Sequence, residues 1–306
     1  MSKIITLTMN PSLDVSGVAE QVTPEDKIRC QDCSEDAGGG GINVARALDR
    51  LGCEATPVFP SGGIFGRRIQ ELLQEAVVEF EALPIDGKTR VNTSIREQGG
   101  RQFRFTMPGP CLAEHEWQKC LAALEQRAGK DSIFVLSGSL PPQVPSDFYA
   151  QATERLHKLG ALVILDTCGQ PLREAAQASP DWIKPNRREL AELTDTERDG
   201  EAIHEQAREL VASGKYRHIL LSLGAEGARL FSAETEEHIP SPDVEPKSRT
   251  GAGDSMVAGL VAALSQGKSP REAARSAVAA GAAAVMTPGT ELLRADDHRD
   301  LLNHMQ

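Results

Sequence analysis

Short apolar runs alternate along the chain with segments in which apolar residues recur every three to four positions. The runs Ile4–Thr8, Ala55–Phe59 and Ile133–Leu136 are typical of buried strands, as are Leu162–Leu165 and His218–Leu221. Strands that are apolar on both faces must be covered on both faces, and this is typical of parallel sheets. The pattern therefore predicts a central, mostly parallel sheet.

Helical periodicity fills the intervals between these strands. We predict helices over Gly41–Leu51, Phe65–Ala76, Asp147–Leu159, Asp254–Gln266 and Pro270–Met286, with a further helix starting at Glu189–Leu193. Alternation of strands and helices predicts an α/β fold with three layers, in which helices cover both faces of the sheet. No internal repeat or Pro/Ser-rich linker divides the chain, so residues 1–306 are expected to form a single domain.

Two segments, Val15–Cys33 and Thr89–Met107, alternate apolar with polar residues and show no helical period. Such alternation predicts strands that have one face in water, and we expect them to pair antiparallel. The sequence Gln98–Arg101, which contains two glycines, is typical of a hairpin turn within the second segment. We therefore predict a small β-sheet that projects from the main domain as a lid.

The chain is acidic, with a net charge of -11 and a pI of about 5.2. Nucleic acids and anionic membranes need a basic surface, so neither is expected as a partner. No apolar stretch reaches the roughly 18 residues of a membrane-spanning helix, and the first residues do not resemble a secretion signal. The six cysteines are scattered, which is typical of a reducing compartment. The protein is expected in the cytoplasm.

The sequence Thr250-Gly251-Ala252-Gly253-Asp254 precedes a helix of small residues. Glycines at a helix start allow several backbone N–H groups to converge on one anion, and the helix dipole favours negative charge there. A carboxylate in the first turn could accept the proton of an attacking hydroxyl. The same residues also suit an ordinary turn with an aspartate N-cap, and the motif alone does not separate the two functions.

Three further loops have residue types that bind polar ligands. The run Gly38–Gly41 allows close approach of backbone to a ligand, although it lacks the third glycine of a dinucleotide fingerprint. Asn186 and Glu189 lie three residues apart at a helix start, where they could hold hydrated Mg²⁺ or form a capping box. The turn Ser222–Gly227 follows a strand, and ligands gather at the carboxyl ends of such strands. P-loop and protein-kinase motifs are absent from the sequence.

Six segments occur in an order that resembles the PfkB/ribokinase family of sugar kinases: TLTMNPSLD, GGGGINVARAL, SGSLPP, KPNRREL, SLGAEGA and TGAGDSMVAGL. The resemblance spans nearly the whole chain. It implies a ribokinase-like fold with a β lid, and MgATP-dependent phosphorylation of a sugar hydroxyl. The phosphosugar branch of the family is the most similar.

Within that branch, relatives that act on fructose 1-phosphate or tagatose 6-phosphate usually have a lysine inside the glycine run, and Gly38–Gly41 has none. The resemblance therefore favours fructose 6-phosphate, phosphorylated at its 1-hydroxyl to give fructose 1,6-bisphosphate. Phosphorylation of the other two sugars by the same machinery remains the alternative. A non-catalytic nucleotide- or sugar-binding regulator is the alternative from another class, and it would be expected to lack Asp254.

The resemblance also implies a role for individual residues. Catalysis would use Asp254 as the base, with Gly251, Ala252 and Gly253 stabilising the transferred group. The sugar phosphate would be bound by Asp14, Lys27, Arg29, Gly39, Asn43, Arg90, Arg104 and Ser139. ATP would be bound by Lys184, Asn186, Ser222, Gly224, Gly227 and Val278. Glu189 would hold Mg²⁺ through water.

Relatives in the family bind a monovalent cation and pair their lids across a dimer. Potassium is expected at Ser248, Thr250, Ala284, Thr287, Gly289 and Glu291, although Arg249 stands in that loop where relatives usually have an uncharged residue. The chain is expected to form a homodimer through its lid, in which Arg90 would serve the neighbouring site.

Overall fold

A computed structural model of the chain describes residues 2–197, 200–248, 250–288 and 291–305. Within these residues the strands are β1 (Ile4–Leu7), β2 (Ser12–Ala19), β3 (Cys30–Gly38), β4 (Ala55–Ser61), β5 (Glu81–Pro84), β6 (Arg90–Glu97), β7 (Gln102–Phe105), β8 (Ile133–Ser137), β9 (Leu162–Asp166), β10 (Trp182–Ile183), β11 (His218–Ser222), β12 (Ala228–Ser232) and β13 (Glu236–Ile239).

The helices of the same described residues are α1 (Gly40–Arg50), α2 (Gly63–Glu75), α3 (Glu114–Arg127), α4 (Phe148–Lys158), α5 (Gly169–Ala175), α6 (Arg187–Thr194), α7 (Glu201–Ala212), α8 (Ala252–Ser265), α9 (Pro270–Val285) and α10 (Ala295–His304). Each helix predicted from periodicity is present. Helices α3, α5, α7 and α10 and strands β5, β10, β12 and β13 were not predicted. Among the described helices, none combines the length and the apolar composition that crossing a lipid bilayer requires.

The large sheet has the strand order β13-β12-β11-β10-β9-β8-β1-β4-β5. From β11 to β5 every neighbouring pair is parallel; in the centre, Ile4 of β1 lies between Ala55 and Ile133. Within the described sheet, the antiparallel pairs are β11 with β12 and β12 with β13, and both lie at one edge. The predicted mostly parallel sheet is confirmed.

Successive residues of the central strands point into two different cores. Ile5 and Leu7 pack with the residues of α3 and α4 on one face, whereas Ile4 packs with α1, α8 and α9 on the other. All three side chains are almost completely buried. This period of two explains why the strands read as continuous apolar runs, and it confirms the three-layer architecture.

The small sheet, which we call the lid sheet, has the order β3-β2-β6-β7. Its outer pairs are antiparallel, but β2 and β6 are parallel, with Ser12 opposite Arg90. The expectation of antiparallel pairing was therefore wrong for the central pair. Alternation gives the exposed face of a strand but not its direction, and the long connection from β3 to β6 permits the parallel arrangement. The lid sheet also begins at Ser12 and not at Val15.

The parallel strands β1, β8, β9, β10 and β11 all end at the same edge of the large sheet. Helix α1 starts there. Its first residue, Gly40, lies so close to Ser137 at the end of β8 that a Cβ on Gly40 would collide with that side chain. Helix α8 starts there too, since Gly253 lies next to Lys184 directly after β10. The lid sheet adjoins this edge through Gly38, where β3 leads into α1. Ligands of open α/β sheets bind at such an edge.

Candidate active site

Helix α8 presents its first turn to the carboxyl edge of the sheet. Gly251 precedes the helix in a left-handed conformation, with φ of 78°, and its carbonyl accepts the first intrahelical bond from Ser255 N. The N–H groups of Ala252, Gly253 and Asp254 therefore precede the helical ladder and have no carbonyl partner within it. Gly253 is exposed, so a ligand can reach these donors. This geometry suits a phosphoryl group at the positive end of the helix dipole.

Asp254 lies in that first turn, next to helix α1. The side-chain amide of Asn43 donates to Asp254 Oδ2 at 2.8 Å. Burial and the negative charge of Asp166 raise the pKa of Asp254 to about 6, although the Asn43 bond and Lys184 act in the opposite direction. A carboxylate with a pKa near 6 is mostly ionised at pH 7 and remains able to take a proton.

Lys184 is a buried cation that lies near three carboxylates of the site. It is buried, and its ammonium Nζ is 3.2 Å from Asp166 Oδ1. Burial alone would lower the pKa of Lys184, but Asp166, Glu189 and Asp254 together raise it, so the side chain is charged. A Cβ placed on Gly253 would be 3.5 Å from Lys184 Nζ, which puts the ammonium beside the α8 donors.

Asp166 is a site residue that the sequence analysis missed. It is the last residue of β9, directly after the apolar run Leu162–Leu165. Its position is the signal that could have found it, because polar side chains that follow parallel strands converge on the ligand edge.

A cavity of about 540 Å³ opens beside the first turn of α8. It is lined by the predicted nucleotide residues Ser222, Gly224, Gly227 and Val278, together with Gly253. Asn186 adjoins it through a parallel β-bridge to Ser222. The turn after β11 and the middle of α9 therefore come together as expected.

Asn186 and Glu189 form a reciprocal capping box at the start of α6. Glu189 N donates to Asn186 Oδ1 at 3.0 Å, and Asn186 N donates to Glu189 Oε2 at 3.0 Å. The capping interpretation of this pair is therefore confirmed. Glu189 Oε1 has no hydrogen bond within the described part of the chain, so capping leaves one carboxylate oxygen for a ligand.

The glycine run fills the narrow space between β1, β2 and β8. A Cβ on Gly38 would collide with the Asp14 carboxylate, and one on Gly41 would be 2.5 Å from Leu7 O. Gly39 has a φ of 118°, a conformation that side chains disfavour. The glycine run therefore leaves no room for a side chain between its backbone and the Asp14 carboxylate. Helix α1 follows directly, with Asn43 in its first turn.

Asp14 lies in β2 of the lid sheet. Ser12 Oγ donates to Asp14 Oδ1 at 2.6 Å, and Asn92 Nδ2 donates to the same oxygen at 3.1 Å. Burial raises the pKa of Asp14, while these bonds and the nearby Arg90 and Arg104 oppose the shift. The supporting residues Ser12 and Asn92 were not identified from sequence.

Arg90 and Arg104 lie on the same face of the lid sheet as Asp14. Arg90 donates to Met107 O at 2.7 Å and to Asn10 O at 2.8 Å, both within its own chain. These bonds hold the Arg90 guanidinium on the face of the lid sheet that also holds Asp14. The expectation that Arg90 serves a neighbouring site stays a prediction. Arg104 is exposed and lies opposite Ser94 in the lid sheet.

Lys27 and Arg29 lie elsewhere, in the exposed connection between β2 and β3. Asp14 is separated from this connection by the remaining residues of β2, Val15–Ala19, which span roughly 16 Å at about 3.3 Å per residue. The structure thus does not bring these two cations together with the other predicted sugar residues of the same chain.

Ser139 follows the end of β8 and lines a second cavity, of about 600 Å³, with Asn10 and Arg90. Asn10 Nδ2 donates to Ser139 Oγ at 3.3 Å and to Pro108 O at 2.9 Å. Asn10 is buried, and its Oδ1 has no partner within the described residues. It is a further polar residue of this region that sequence reasoning missed.

The predicted potassium residues lie in two adjoining loops. Lys247 N and Ser248 N both donate to Val285 O at the end of α9, at 2.7 and 3.2 Å. The buried Thr287 hydroxyl lies within hydrogen-bond distance of two carbonyl oxygens, Ala284 O at 2.7 Å and Glu291 O at 2.6 Å, and its one hydrogen can be donated to either. The Glu291 side chain instead pairs with Arg294. Thr250 follows the first loop, whereas Gly289 and Arg249 lie outside the described residues.

Comparison with known proteins gives a consistent result. A family model described as pfkB family carbohydrate kinase matches residues 5–296. ATP-dependent 6-phosphofructokinase isozyme 2 of Escherichia coli (strain K12) is 38% identical over 309 residues, covering 100% of this chain and 99% of the relative. The 1-phosphofructokinase of Vibrio cholerae is 31% identical over 308 residues, covering 99% and 95%.

Solved structures agree with the fold. Phosphofructokinase-2 from Escherichia coli in complex with potassium superposes with a TM-score of 0.96 at 36% identity, covering 100% of this chain and 99% of that one. Structures of the same protein with fructose 6-phosphate, and of its tetrameric inhibited form, each have a TM-score of 0.94 at 35% identity with the same coverage. The ribokinase-like fold is therefore confirmed.

Proposed function

The chain belongs to the pfkB family of carbohydrate kinases, and from that premise we propose that it transfers the terminal phosphoryl group of ATP to the 1-hydroxyl of fructose 6-phosphate. One observation carries the proposal. Asp254 stands at the start of α8, with the nucleotide cavity on one side and, through Asn43, the glycine run and lid sheet on the other. A base at this junction can reach a sugar hydroxyl that faces the phosphate.

Asp254 accepts the proton of the attacking hydroxyl as the new O–P bond forms and the bond to the ADP oxygen breaks. The Asn43 amide fixes one carboxylate oxygen and leaves the other for the sugar. Asp14, at the root of the lid sheet, holds other sugar hydroxyls, and Gly39 admits the sugar close to the backbone. General base catalysis of this kind contributes roughly 10²–10⁴-fold.

The phosphoryl group in transfer is surrounded by positive charge. The N–H groups of Ala252, Gly253 and Asp254 point at its oxygens, and the Lys184 ammonium lies beside them. Because these donors are fixed before the reaction, they stabilise the developing charge without reorganising. Ser222, Gly224, Gly227 and Val278 hold the nucleotide that delivers the group.

Magnesium fits the donors that remain. Glu189 keeps Oε1 outside its capping box, and the nearby Asp166 supplies a second carboxylate, which are the hard oxygen ligands that Mg²⁺ prefers. When bound with ATP, Mg²⁺ neutralises phosphate charge. Potassium fits the carbonyl groups of the loops around Ser248 and Thr287, and the Escherichia coli relative was solved with this ion.

Fructose 6-phosphate is favoured over the other hexose phosphates by the comparisons. The 6-phosphofructokinase relative is 38% identical, against 31% for the 1-phosphofructokinase. The glycine run Gly38–Gly41 also lacks the lysine that relatives acting on fructose 1-phosphate usually have there. The regulator hypothesis is disfavoured because Asp254, Lys184 and the α8 donors are all in place. With these residues the chain acts in glycolysis, and we place it in the cytoplasm.

We further propose that the chain forms a homodimer in which the lid sheets exchange cations. Lys27 and Arg29 have no carboxylate partner among the described residues and cannot reach their own Asp14. Phe105 and Met107 expose large apolar side chains at the lid edge. Burying this edge against a second copy would carry the two cations to the neighbouring sugar phosphate.

Subunit complementation tests this arrangement. Arg29→Ala and Asp254→Asn are each expected to be poorly active, and mixing them should restore activity, because one site of the mixed dimer combines an intact Asp254 with the partner's Arg29. No recovery after confirmed subunit exchange would place Arg29 outside the neighbour's site. Arg90→Ala mixed with Asp254→Asn is the companion pair: recovery would assign Arg90 to the neighbouring site as well, and no recovery would assign it to the site of its own chain.

The proposed reaction is tested by product identification. Incubation with MgATP and fructose 6-phosphate should give a new phosphomonoester on carbon 1, detected by ³¹P NMR, with one ADP released per sugar consumed. ADP release without sugar phosphorylation, in the presence of the sugar, would contradict the assignment.

A further inference from the structure

The peptide at Gly138 connects the two halves of the active site. Gly138 follows β8 with a φ of 100°. Its N–H donates to Asp166 O at 2.9 Å, at the end of β9. Its carbonyl accepts two hydroxyl groups, from Tyr149 at 2.9 Å and from Thr167 at 2.9 Å. The Asp166 bond therefore fixes the peptide that precedes Gly138, and the two hydroxyl bonds fix the peptide that joins Gly138 to Ser139.

The orientation of that peptide sets the position of Ser139, the next residue. Ser139 is exposed into the cavity that Arg90 and Asn10 also line. On the other side, Asp166 forms the ion pair with Lys184. Rotation of the Gly138 peptide would swing Ser139 away from the sugar side, because Gly138 has no Cβ to restrict it.

We propose that Tyr149 and Thr167 are positioning residues for the sugar phosphate. They act through the Gly138 carbonyl and hold Ser139 toward the sugar. This proposal rests on the proposed function, because it assigns a purpose to Ser139 in sugar binding. Neither hydroxyl touches the substrate: Tyr149 is 0% exposed and Thr167 is 8% exposed.

Burial makes the two bonds effective. A hydroxyl that cannot reach water is bonded to its protein partner or to nothing, so each bond is retained in the native state. The carbonyl oxygen has two lone pairs, and each hydroxyl takes one. Removing one hydroxyl leaves the carbonyl with one donor, whereas removing both leaves it without a donor from the described residues.

The test compares Tyr149→Phe, Thr167→Val and the double variant. Tyr149→Phe is expected to raise the sugar KM roughly two- to tenfold, which is the range for one neutral hydrogen bond, with the ATP KM unchanged. Thr167→Val should act similarly, and Thr167→Ser, which keeps the hydroxyl, should restore the wild-type sugar KM. The double variant should raise the sugar KM by a factor larger than the product of the two single-variant factors.

The matched control is Tyr216→Phe. Tyr216 is equally buried, and its hydroxyl donates to Leu172 O at 2.7 Å and not to Gly138. This variant should lower the melting temperature as Tyr149→Phe does, without changing the sugar KM. Equal changes of both KM values in Tyr149→Phe, or a sugar KM that matches the control, would overturn the proposal.

Failure of the inference differs from failure of the proposed function. The assays use whichever hexose phosphate the wild-type chain phosphorylates fastest, so a wrong assignment of the sugar leaves this test in force. A wild-type chain that neither phosphorylates nor, by calorimetry, binds any of the three hexose phosphates would overturn both proposals together.

Discussion

Asn43 donates a hydrogen bond of 2.8 Å to Asp254 across 211 residues of sequence. The bond joins the first turn of α1 to the first turn of α8, and the two turns start at the same edge of the large sheet. The glycine run before α1 and the glycines before α8 therefore serve one site. The position of the proposed base depends on a helix that also borders the sugar side.

Replacing Asp254 with asparagine should abolish turnover while ligand binding survives. We expect kcat to fall by roughly 10²–10⁴-fold, because the proton of the attacking hydroxyl loses its acceptor. Steady-state kinetics and calorimetric titration of both ligands would measure this. A variant that keeps more than about a tenth of wild-type kcat would contradict the role of Asp254.

The same substitution provides its own folding control. The folded-state pKa of Asp254, about 6, is above its ordinary value of 3.8. Ionised Asp254 therefore costs stability above pH 6, and this cost disappears as the pH falls below 4. Asp254→Asn should be more stable than wild type at pH 8, by at most about 3 kcal/mol, and the difference should vanish near pH 4. Denaturant melts at both pH values would show whether lost activity reflects unfolding.

The acid limb of the pH profile should report the raised pKa. Below about pH 6 Asp254 is protonated, so kcat/KM should fall about tenfold per pH unit. Phosphate monoesters also titrate near pH 6, and a variant separates the two groups. Asp166→Asn removes a charge that raises the pKa of Asp254, so the limb should move to lower pH. An unmoved limb would assign it to the substrate.

Glu189→Gln should raise the Mg²⁺ concentration that gives half-maximal rate, because it removes charge from the proposed metal site. The substitution also weakens the capping box of α6. Glu272→Gln is the matched control, since Ser269 and Glu272 form the same motif at the start of α9. Equal losses of melting temperature with unchanged Mg²⁺ dependence in both variants would leave Glu189 with capping alone.

Arg104→Ala should raise KM for fructose 6-phosphate roughly 10- to 150-fold, the effect of losing a charge-assisted bond of about 1.5–3 kcal/mol. The KM for ATP should change little. Arg104 is the cleaner test than Arg90, because Arg90 also supports the carbonyls of Met107 and Asn10. Arg67→Ala, on the exposed face of α2, is the control. An unchanged sugar KM in Arg104→Ala would remove it from the phosphate site.

The sequence predicted the features that depend on local pattern. Ile5 and Leu7 alternate with Ile4 between two cores, so the buried sheet was readable as an apolar run. The parallel pairing of β2 with β6 was not readable, because strand direction depends on the connection and not on alternation. Helix α10 was also missed, since it has few apolar residues and none of its residues is fully buried.

Within the site, glycine-rich turns were predictable and their supporting side chains were not. Gly251–Asp254 could be identified as a candidate because glycines before a helix and a carboxylate in its first turn are a local pattern, although the motif alone also suits an ordinary capped turn. Asp166, Asn92 and Tyr149 are single residues of common type, and only the fold shows that Lys184, Asp14 and Gly138 lie beside them.

The central claim is that this chain is a 6-phosphofructokinase, and one measurement tests it most directly. Values of kcat/KM for fructose 6-phosphate, fructose 1-phosphate and tagatose 6-phosphate are to be determined side by side with saturating MgATP. The account predicts the highest value for fructose 6-phosphate, at least about tenfold above fructose 1-phosphate, because the phosphate and the accepting hydroxyl exchange ends between those two sugars. A higher kcat/KM for fructose 1-phosphate or tagatose 6-phosphate would contradict it.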